Sequence, residues 1–142
     1  MHTARIELLQ QMPVFGAVTA QTIEFLLAAA PVLALPRGAY FFHEGDPPKG
    51  MFVLESGRVT IAKSWGDHQL LIRRLGQGDC FGEMALLDLF PRSASVRADE
   101  DCSAIEITSA NLYRLYEHDI EQFTLIQMNI AREMSRRLRV TG

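Results

Sequence analysis

The sequence has little cysteine, no strong excess of charge and no long uninterrupted apolar run, and each shortage excludes a class of protein. Two cysteines, Cys80 and Cys102, are too few for a disulfide framework, so we expect two reduced thiols packed as small hydrophobic side chains. The net charge of −3 gives no electrostatic reason to expect nucleic acid as a partner of this chain. The longest apolar run, Phe25 to Leu35, is interrupted by Pro31 and is too short to cross a bilayer. The first 13 residues lack the basic start and apolar core of a secretory signal. We therefore expect a cytoplasmic protein that does not bind a membrane.

Residue patterns for metal or nucleophilic chemistry are also absent. None of the four histidines, which are His2, His43, His68 and His118, stands two, three or four residues from another, so no metal-ligand pair is visible. Two cysteines cannot supply the four ligands of an iron–sulfur cluster. The remaining enzymatic alternative is a cupin-like small-molecule enzyme, which usually carries an H-x-H pair, whereas His43-Glu44-Gly45-Asp46 offers one imidazole. We expect no metal, no cofactor and no catalysis.

The chain of 142 residues, 48% hydrophobic and 22% charged, is typical of a single globular domain. Helical spacing runs from Arg5 to Met12 and from a Thr19 cap to Ala30, and it returns at Ser109. Strand-length runs fill the middle: Val32–Leu35, Ala39–His43, Met51–Glu55, Arg58–Lys63, Gln69–Leu75, Ala94–Ala98 and Cys102–Ile107. The expected fold is mainly β with flanking helices, an antiparallel β-roll or jelly roll of about eight strands. Its expected parts are N-terminal helices (1–31), the roll (32–107) and a C-terminal two-helix unit (108–142).

The last helix carries two apolar faces. Asp119 and Gln122 form an acidic variant of a capping box at its start. The larger face is expected to be core, and the smaller one indicates a homodimer through this helix. The larger face is Phe123, Ile126, Ile130, Met134 and Leu138, and the smaller is Leu125, Met128 and Ala131.

The stretch 81–96 combines features that suit a small phosphorylated ligand. Gly82 has no Cβ, so the backbone can approach a ligand closely. Glu83 to Leu87 reads as a one-turn helix whose free N–H groups suit an anion. Arg92 offers a planar fork of donors that matches a phosphate, and Ser93 adds a hydroxyl. The Glu83 carboxylate would repel a phosphate and is better placed to accept hydrogen bonds from a sugar. Together these residues indicate a nucleotide, which Arg92 would serve without contributing to the core.

Two simpler readings of these residues stay open. Glu83 and Arg92 would form an ordinary surface ion pair if the stretch has no ligand. Ser93 would be a turn hydroxyl satisfied by its own backbone.

The segments Phe81-Gly82-Glu83-Met84-Ala85-Leu86-Leu87 and Pro91-Arg92-Ser93-Ala94-Ser95-Val96 resemble the phosphate-binding cassette of the cyclic nucleotide-binding domain family. That family includes the catabolite activator protein, the regulatory subunit of protein kinase A and cyclic nucleotide-gated channels. His43-Glu44-Gly45-Asp46 and Gly76-Gln77-Gly78-Asp79 are similar to the family's early turn and its approach to the cassette. The resemblance covers roughly Phe15 to Leu138.

The resemblance implies non-covalent binding of cAMP, with cGMP as the second choice, by a sensor that moves its C-terminal helix. It assigns Gly82, Glu83 and Ala85 to the ribose and phosphate edge, and Arg92 and Ser93 to the exocyclic phosphate oxygens. The candidate contacts also include Met84 and Ala94 within the cassette, Ile61, Ile72 and Arg73 at the base pocket, and Thr141 as a base contact from the last helix.

Two alternatives concern the role of the whole protein. In transcription factors of this family a helix-turn-helix domain follows at about the point where this sequence stops. The chain would then be the ligand-binding part of a longer transcription regulator, and these residues alone are not expected to bind DNA. The other alternative is a degenerate domain that binds only protein partners.

Overall fold

The polypeptide forms two compact units, one of strands and one of helices. The computed structural model describes residues 3–86 and 90–141, and it describes only the backbone of residues 3, 140 and 141. Residues 31–109 form the strand unit, and residues 1–30 with 110–142 form the helical unit. Among the described residues the strands are β1 (Val32–Leu35), β2 (Tyr40–Phe42), β3 (Gly50–Ser56), β4 (Val59–Trp65), β5 (His68–Leu75), β6 (Cys80–Phe81), β7 (Ser95–Ala98) and β8 (Cys102–Thr108).

These described strands pair in antiparallel fashion to form two four-stranded sheets. One sheet has the order β1-β8-β3-β6 and the other has the order β2-β7-β4-β5. This architecture confirms the predicted antiparallel roll with flanking helices. The sequence pattern did not predict β6, because two residues are too short to show the alternation typical of a strand.

The interior of the roll holds an apolar cluster built by both sheets. The Phe52 and Phe81 rings stack with their centroids 5.4 Å apart, and Phe41 packs edge-on to both. Burying one such aromatic ring stabilises the fold by roughly 1.5–3 kcal/mol. The buried cluster consists of Phe52, Leu54, Val59, Leu75, Phe81, Val96, Ala98, Cys102 and Ala104, with Leu33, Phe41, Phe42 and Ile61 packed against it.

The helical unit joins segments from the two ends of the chain. Its described helices are α1 (Thr3–Gln10), α2 (Ala20–Ala29), α3 (Ser109–His118) and α4 (Ile120–Thr141), with a 3₁₀ turn at Pro13–Phe15. The predicted cap of α2 is confirmed, because the Thr19 side chain accepts a hydrogen bond from Thr22 N at 3.2 Å. The buried Asn129 of α4 donates from Nδ2 to Val14 O at 3.0 Å and to Gly16 O at 2.9 Å. These bonds attach α4 to the turn between α1 and α2.

Two details of α4 differ from the prediction. Asp119 caps the helix by accepting from Gln122 N at 3.1 Å, but Gln122 Oε1 accepts from Thr19 N at 3.0 Å instead of closing a capping box. The apolar face buries Ile126 and Ile130, whereas Leu138 is 71% exposed. The face therefore contributes to the core over the first part of the helix, and its last predicted member does not.

Candidate functional site

Gly82 turns the chain from β6 into the cassette. Its φ of +77° is a left-handed conformation that glycine adopts readily. A 3₁₀ turn, Glu83–Leu86, follows at once, and Ala85 N donates to Gly82 O at 3.1 Å. Leu87, which ends the predicted one-turn helix, and the two residues after it lie outside the described part of the chain. The turn is tighter than an α-helix, and it buries the side chains of Glu83 and Ala85 while Met84 is exposed.

The backbone of Arg92 is held by the turn that follows β2. Arg92 N donates to Asp46 O at 2.8 Å, and Gly45 N donates to Arg92 O at 2.8 Å. These two bonds join the end of the cassette to the His43-Glu44-Gly45-Asp46 turn. The backbone of Arg92 is therefore held in place independently of the contacts that its side chain makes.

The Arg92 side chain points inward and is only 8% exposed. Its Nη2 donates to Gly50 O at 2.7 Å and its Nη1 donates to Gly82 O at 3.1 Å. The guanidinium carbon lies 3.9 Å from the centre of the Phe42 ring, within the range of a cation–π interaction. These contacts correct the expectation that Arg92 plays no part in the core. They also exclude an ordinary surface ion pair, since Glu83 is buried as well.

One donor of this buried guanidinium has no protein partner. Within the described residues no acceptor meets Arg92 Nε. Burial lowers the pKa of Arg92, and Glu106, Asp46 and Glu83, in that order, act against this shift. A guanidinium group does not lose its proton in proteins, so Arg92 remains a cation at physiological pH. A buried cationic N–H without an acceptor is a place where a ligand oxygen would be strongly stabilised.

The remaining cassette residues lie close to Arg92 in sequence but differ in environment. Ala94 is buried, whereas Ser93 is exposed. The Ser93 carbonyl accepts from Lys63 Nζ at 3.2 Å, which links the cassette to β4. Lys63 adds a second cation near Ser93 that the sequence pattern did not single out.

The base-side candidates lie on the sheet that contains β4 and β5. Ile61 is paired with Arg73 and with Val96, and it packs against the core cluster. The register then shifts, so that Ala62 is paired with Leu71 and Ile72 is the extra residue of a β-bulge. Ile72 is 52% exposed. The structure therefore brings Ile61 and Arg73 together, while Ile72 has no cross-strand partner. The side chain of Thr141 lies outside the described part of the chain.

Sequence reasoning missed three residues around Arg92, namely Phe42, Gly50 and Glu106. A Cβ on Gly50 would come within 2.4 Å of Ile107 O, so glycine is required there for strand packing. Only the isolated charge of Glu106 within the run Ala104-Ile105-Glu106-Ile107 gave a sequence signal, because a buried strand rarely carries an unpaired carboxylate.

Metal-binding clusters and membrane-spanning helices are absent from the described part of the chain. In residues 3–86 and 90–141 no group of three or more histidine, cysteine or acidic side chains could hold a metal ion. No helix within those residues has the length and apolar character needed to cross a membrane. Both cysteines are buried and neither forms a disulfide, and burial raises the pKa of the Cys102 thiol, which makes it a poor nucleophile.

The antiparallel roll, with a buried arginine at the end of a glycine-led turn, defines the class of protein. A model of the family described as the cyclic nucleotide-binding domain matches residues 32–119. The chain therefore belongs to the cyclic nucleotide-binding domain family.

Two relatives and one solved structure show the extent of the similarity. The cyclic AMP receptor protein of Thermus thermophilus is 30% identical over 128 residues, which is 89% of this chain and 57% of the relative. A cyclic nucleotide-gated potassium channel of Rhizobium etli is 36% identical over 102 residues, which is 71% of this chain and 27% of the channel. A cyclic nucleotide-binding domain from Methylobacillus flagellatus has the same fold, with a TM-score of 0.87, 23% identity and coverage of 97% of this chain and 80% of that one. The chain thus spans less than two thirds of either relative.

Proposed function

We propose that this chain binds cAMP without catalysis, with cGMP as the alternative ligand. The observation that carries the proposal is the Arg92 guanidinium, which is buried and cationic and whose Nε lacks an acceptor among the described residues. A cyclic nucleotide brings one negative charge on a compact phosphate, and its oxygen would supply the missing acceptor. The similarity to a protein named for cyclic AMP supports cAMP as the first choice.

The proposed contacts follow the geometry of the cassette. Arg92 and Ser93 hold the phosphate oxygens, with the backbone at Gly82 and Ala85 beside them. Glu83, whose carboxylate is buried next to this site, accepts hydrogen bonds from the ribose hydroxyl. Met84 and Ala94 complete the cassette side of the pocket. On the base side we assign Ile61 and Arg73, which face each other across β4 and β5, together with Ile72 and Thr141.

We further propose that the chain works as a sensor, with residues 1–142 forming one cyclic nucleotide-binding domain. The long amphipathic helix α4 is the proposed output element, and its second apolar face is the proposed homodimer contact. Met128 on that face is 48% exposed, which supports a contact with a second copy. The two buried cysteines form no disulfide, which fits a reducing compartment, so we place the protein in the cytoplasm.

A second candidate is that this chain is the ligand-binding part of a longer transcription regulator. The observation that favours it is that the chain covers only 57% of the cyclic AMP receptor protein of Thermus thermophilus, so that relative extends beyond the matched residues. In either case the binding event is the same, and this chain alone is not proposed to bind DNA or to catalyse a reaction.

Isothermal titration calorimetry with cAMP and cGMP tests the proposal. We expect saturable binding with one site per chain and a lower Kd for cAMP than for cGMP. A lower Kd for cGMP would reverse the choice of base and leave the phosphate site unchanged. If neither nucleotide binds to folded protein, the domain instead serves as a surface for protein partners.

A further inference from the structure

Glu106 places a carboxylate inside the roll, where apolar residues surround it. It is 7% exposed and pairs with Phe52 across β8 and β3. Residues directly opposite each other in an antiparallel pair share a face of the sheet. Phe52 belongs to the interior cluster, as does Ala104, which lies two residues from Glu106 on the same face of β8. The Glu106 side chain therefore projects into the interior of the roll.

The Arg92 guanidinium lies in the same part of the interior. It bonds to the carbonyl of Gly50, two residues before Phe52 on β3, and covers the Phe42 ring, whose centroid is 6.0 Å from that of Phe52. Among the described residues, Glu106 and Arg92 form no hydrogen-bonded ion pair. The carboxylate thus acts on the site through its electric field, and of the three carboxylates that act on Arg92 its effect is the largest.

The other two carboxylates, Asp46 and Glu83, have roles in the turn after β2 and in the proposed pocket. Asp46 Oδ2 accepts from His43 N at 2.8 Å and so shapes the turn after β2. Glu83 belongs to the cassette itself and faces the proposed sugar. The Glu106 carboxylate accepts no hydrogen bond from the described residues, so it acts on the site by its charge.

The sum of charges at this site disfavours a highly charged ligand. Three carboxylates, Glu106, Asp46 and Glu83, act on the buried cation Arg92, and Lys63 adds one further cation at the Ser93 carbonyl. A cyclic phosphodiester carries a single negative charge, whereas a phosphate monoester approaches two charges above its second pKa of about 6. Repulsion by a fixed carboxylate grows in proportion to the ligand's charge.

We propose that Glu106 is a specificity-determining residue, which makes the Arg92 site discriminate against doubly charged phosphate monoesters in favour of singly charged cyclic phosphodiesters. This inference rests on the proposed function, because it concerns the selectivity of the same site. It assigns the rejection of open-chain nucleotides partly to charge and not to shape alone.

The test compares cAMP with 5′-AMP on the wild type and on Glu106→Gln, which keeps the shape of the side chain and removes its charge. Two unit charges about 10 Å apart, at an effective dielectric constant of about 20, change a binding constant by roughly tenfold. At pH 8 we therefore expect cAMP to bind roughly tenfold more tightly to the variant and 5′-AMP roughly a hundredfold more tightly. The selectivity for cAMP should fall about tenfold.

Glu55→Gln is the matched control. Glu55 is a buried carboxylate of β3 that accepts from Ser103 Oγ at 3.3 Å, and it is not among the groups that act on Arg92. Its substitution should leave the ratio of the two Kd values unchanged. If Glu106→Gln changes both Kd values by the same factor, or by no more than the control, the inference is overturned while cAMP binding stands. If the wild type binds neither nucleotide, the proposed function fails together with the inference.

A second measurement needs no variant, so it can overturn the inference even if Glu106→Gln does not fold. Lowering the pH from 8 to 5 removes one charge from 5′-AMP, whereas cAMP keeps its single charge and reports any titration of the protein itself. The charged groups near the proposed ligand are Arg92, Glu106 of β8, Asp46 of the turn after β2 and Glu83 of the cassette, with His43 beside Asp46, Lys63 at the Ser93 carbonyl and Arg73 on the proposed base side. The affinity of 5′-AMP relative to cAMP should rise as the pH falls. A ratio that is independent of pH would overturn the inference.

Discussion

Gly82 and Arg92 are fitted to each other at both the backbone and the side chain. Arg92 Nη1 donates to the carbonyl of Gly82 at 3.1 Å, and a Cβ placed on Gly82 would lie 2.8 Å from the same nitrogen. A side chain at residue 82 would therefore collide with the Arg92 guanidinium, which the carbonyl of residue 82 holds in place. The glycine of the cassette matters for the placement of the arginine as well as for the approach of a ligand.

Gly82→Ala should weaken cAMP binding by roughly tenfold or more, because each 1.4 kcal/mol lost through displacement of Arg92 is worth a factor of ten. The positive φ should also lower the free energy of unfolding by about 1–2 kcal/mol. Calorimetry and urea unfolding measure the two effects. Gly78→Ala is the control, since Gly78 has a φ of +91° and nothing lies within 4 Å of its added Cβ. It should lose stability and keep its affinity; equal losses of affinity in both variants would contradict the steric explanation.

Arg92→Ala should weaken cAMP binding by roughly 30-fold to several thousand-fold, because truncating one partner of a buried charge pair costs about 2–5 kcal/mol. Arg92→Lys should fall between the wild type and alanine, because lysine keeps the charge and loses the fork. Both variants should also unfold more easily, since Gly50 O and Gly82 O lose their donor.

Glu83→Gln should cost less affinity than Arg92→Ala, because it alters a sugar contact and leaves the phosphate clamp in place.

Arg97→Ala is the matched control for Arg92→Ala, since Arg97 is exposed on β7 and pairs with Asp99 at 3.4 Å. Wild-type affinity in folded Arg92→Ala would show that the cassette has been misread.

Asn129→Ala should destabilise the protein by about 2–3 kcal/mol, because it leaves the carbonyls of Val14 and Gly16 without their donor. Thr124→Ala on the same helix is the comparison, since the exposed Thr124 Oγ1 bonds only to Ile120 O within α4. That change should stay within about 0.5 kcal/mol of the wild type. Urea unfolding of both variants measures the difference, and equal stabilities would mean that water replaces the Asn129 amide.

Binding of cAMP should protect the amides of α4 from hydrogen exchange more than those of residues 51–63. The reason is the proposed role of α4 as the output element, whose opening equilibrium the ligand would shift. Mass spectrometry of peptides from both regions measures the protection. Equal protection in the two regions would indicate a passive binder with no transmitted signal.

Met128→Glu, alone and combined with Leu125→Glu, should convert a dimer to a monomer and leave the roll folded. The charge would enter the second apolar face of α4, where Met128 is half exposed. Sedimentation velocity measures the oligomeric state, and Gln21→Glu, at an exposed position of a different helix, α2, should leave it unchanged. A dimer that persists in the double variant uses a different surface.

The sequence predicted most of the strands because strands depend on local chemistry, and the candidate cassette was singled out on local chemistry too. Alternation and turn residues determine a strand within a few positions, and β1 runs over the predicted residues Val32–Leu35. Gly82 and Arg92 were recognised in the same way, from residue types at close spacing.

The environment of Arg92 could not be predicted, because its partners come from distant parts of the chain. Gly50 is 42 residues away, and the carboxylate of Glu106 is placed by the register of β8 on β3. The same holds for Gln122, whose capping partner is replaced by Thr19, and for Leu138, whose exposure depends on where the packing of α4 ends. Periodicity shows that a face is apolar, but tertiary packing decides how much of it is covered.

The union of both chain ends in the helical unit has a consequence for synthesis. The bonds from Gln122 to Thr19 and from Asn129 to Val14 span 103 and 115 residues. A ribosome adds about 5–20 residues per second, so roughly 5–20 seconds pass between the synthesis of α1 and α2 and the synthesis of α4. During that interval Val14 and Phe15, which are buried in the finished protein, lack the contacts that α4 makes with their 3₁₀ turn. The helical unit is thus the part of the nascent chain that chaperones have the longest opportunity to bind.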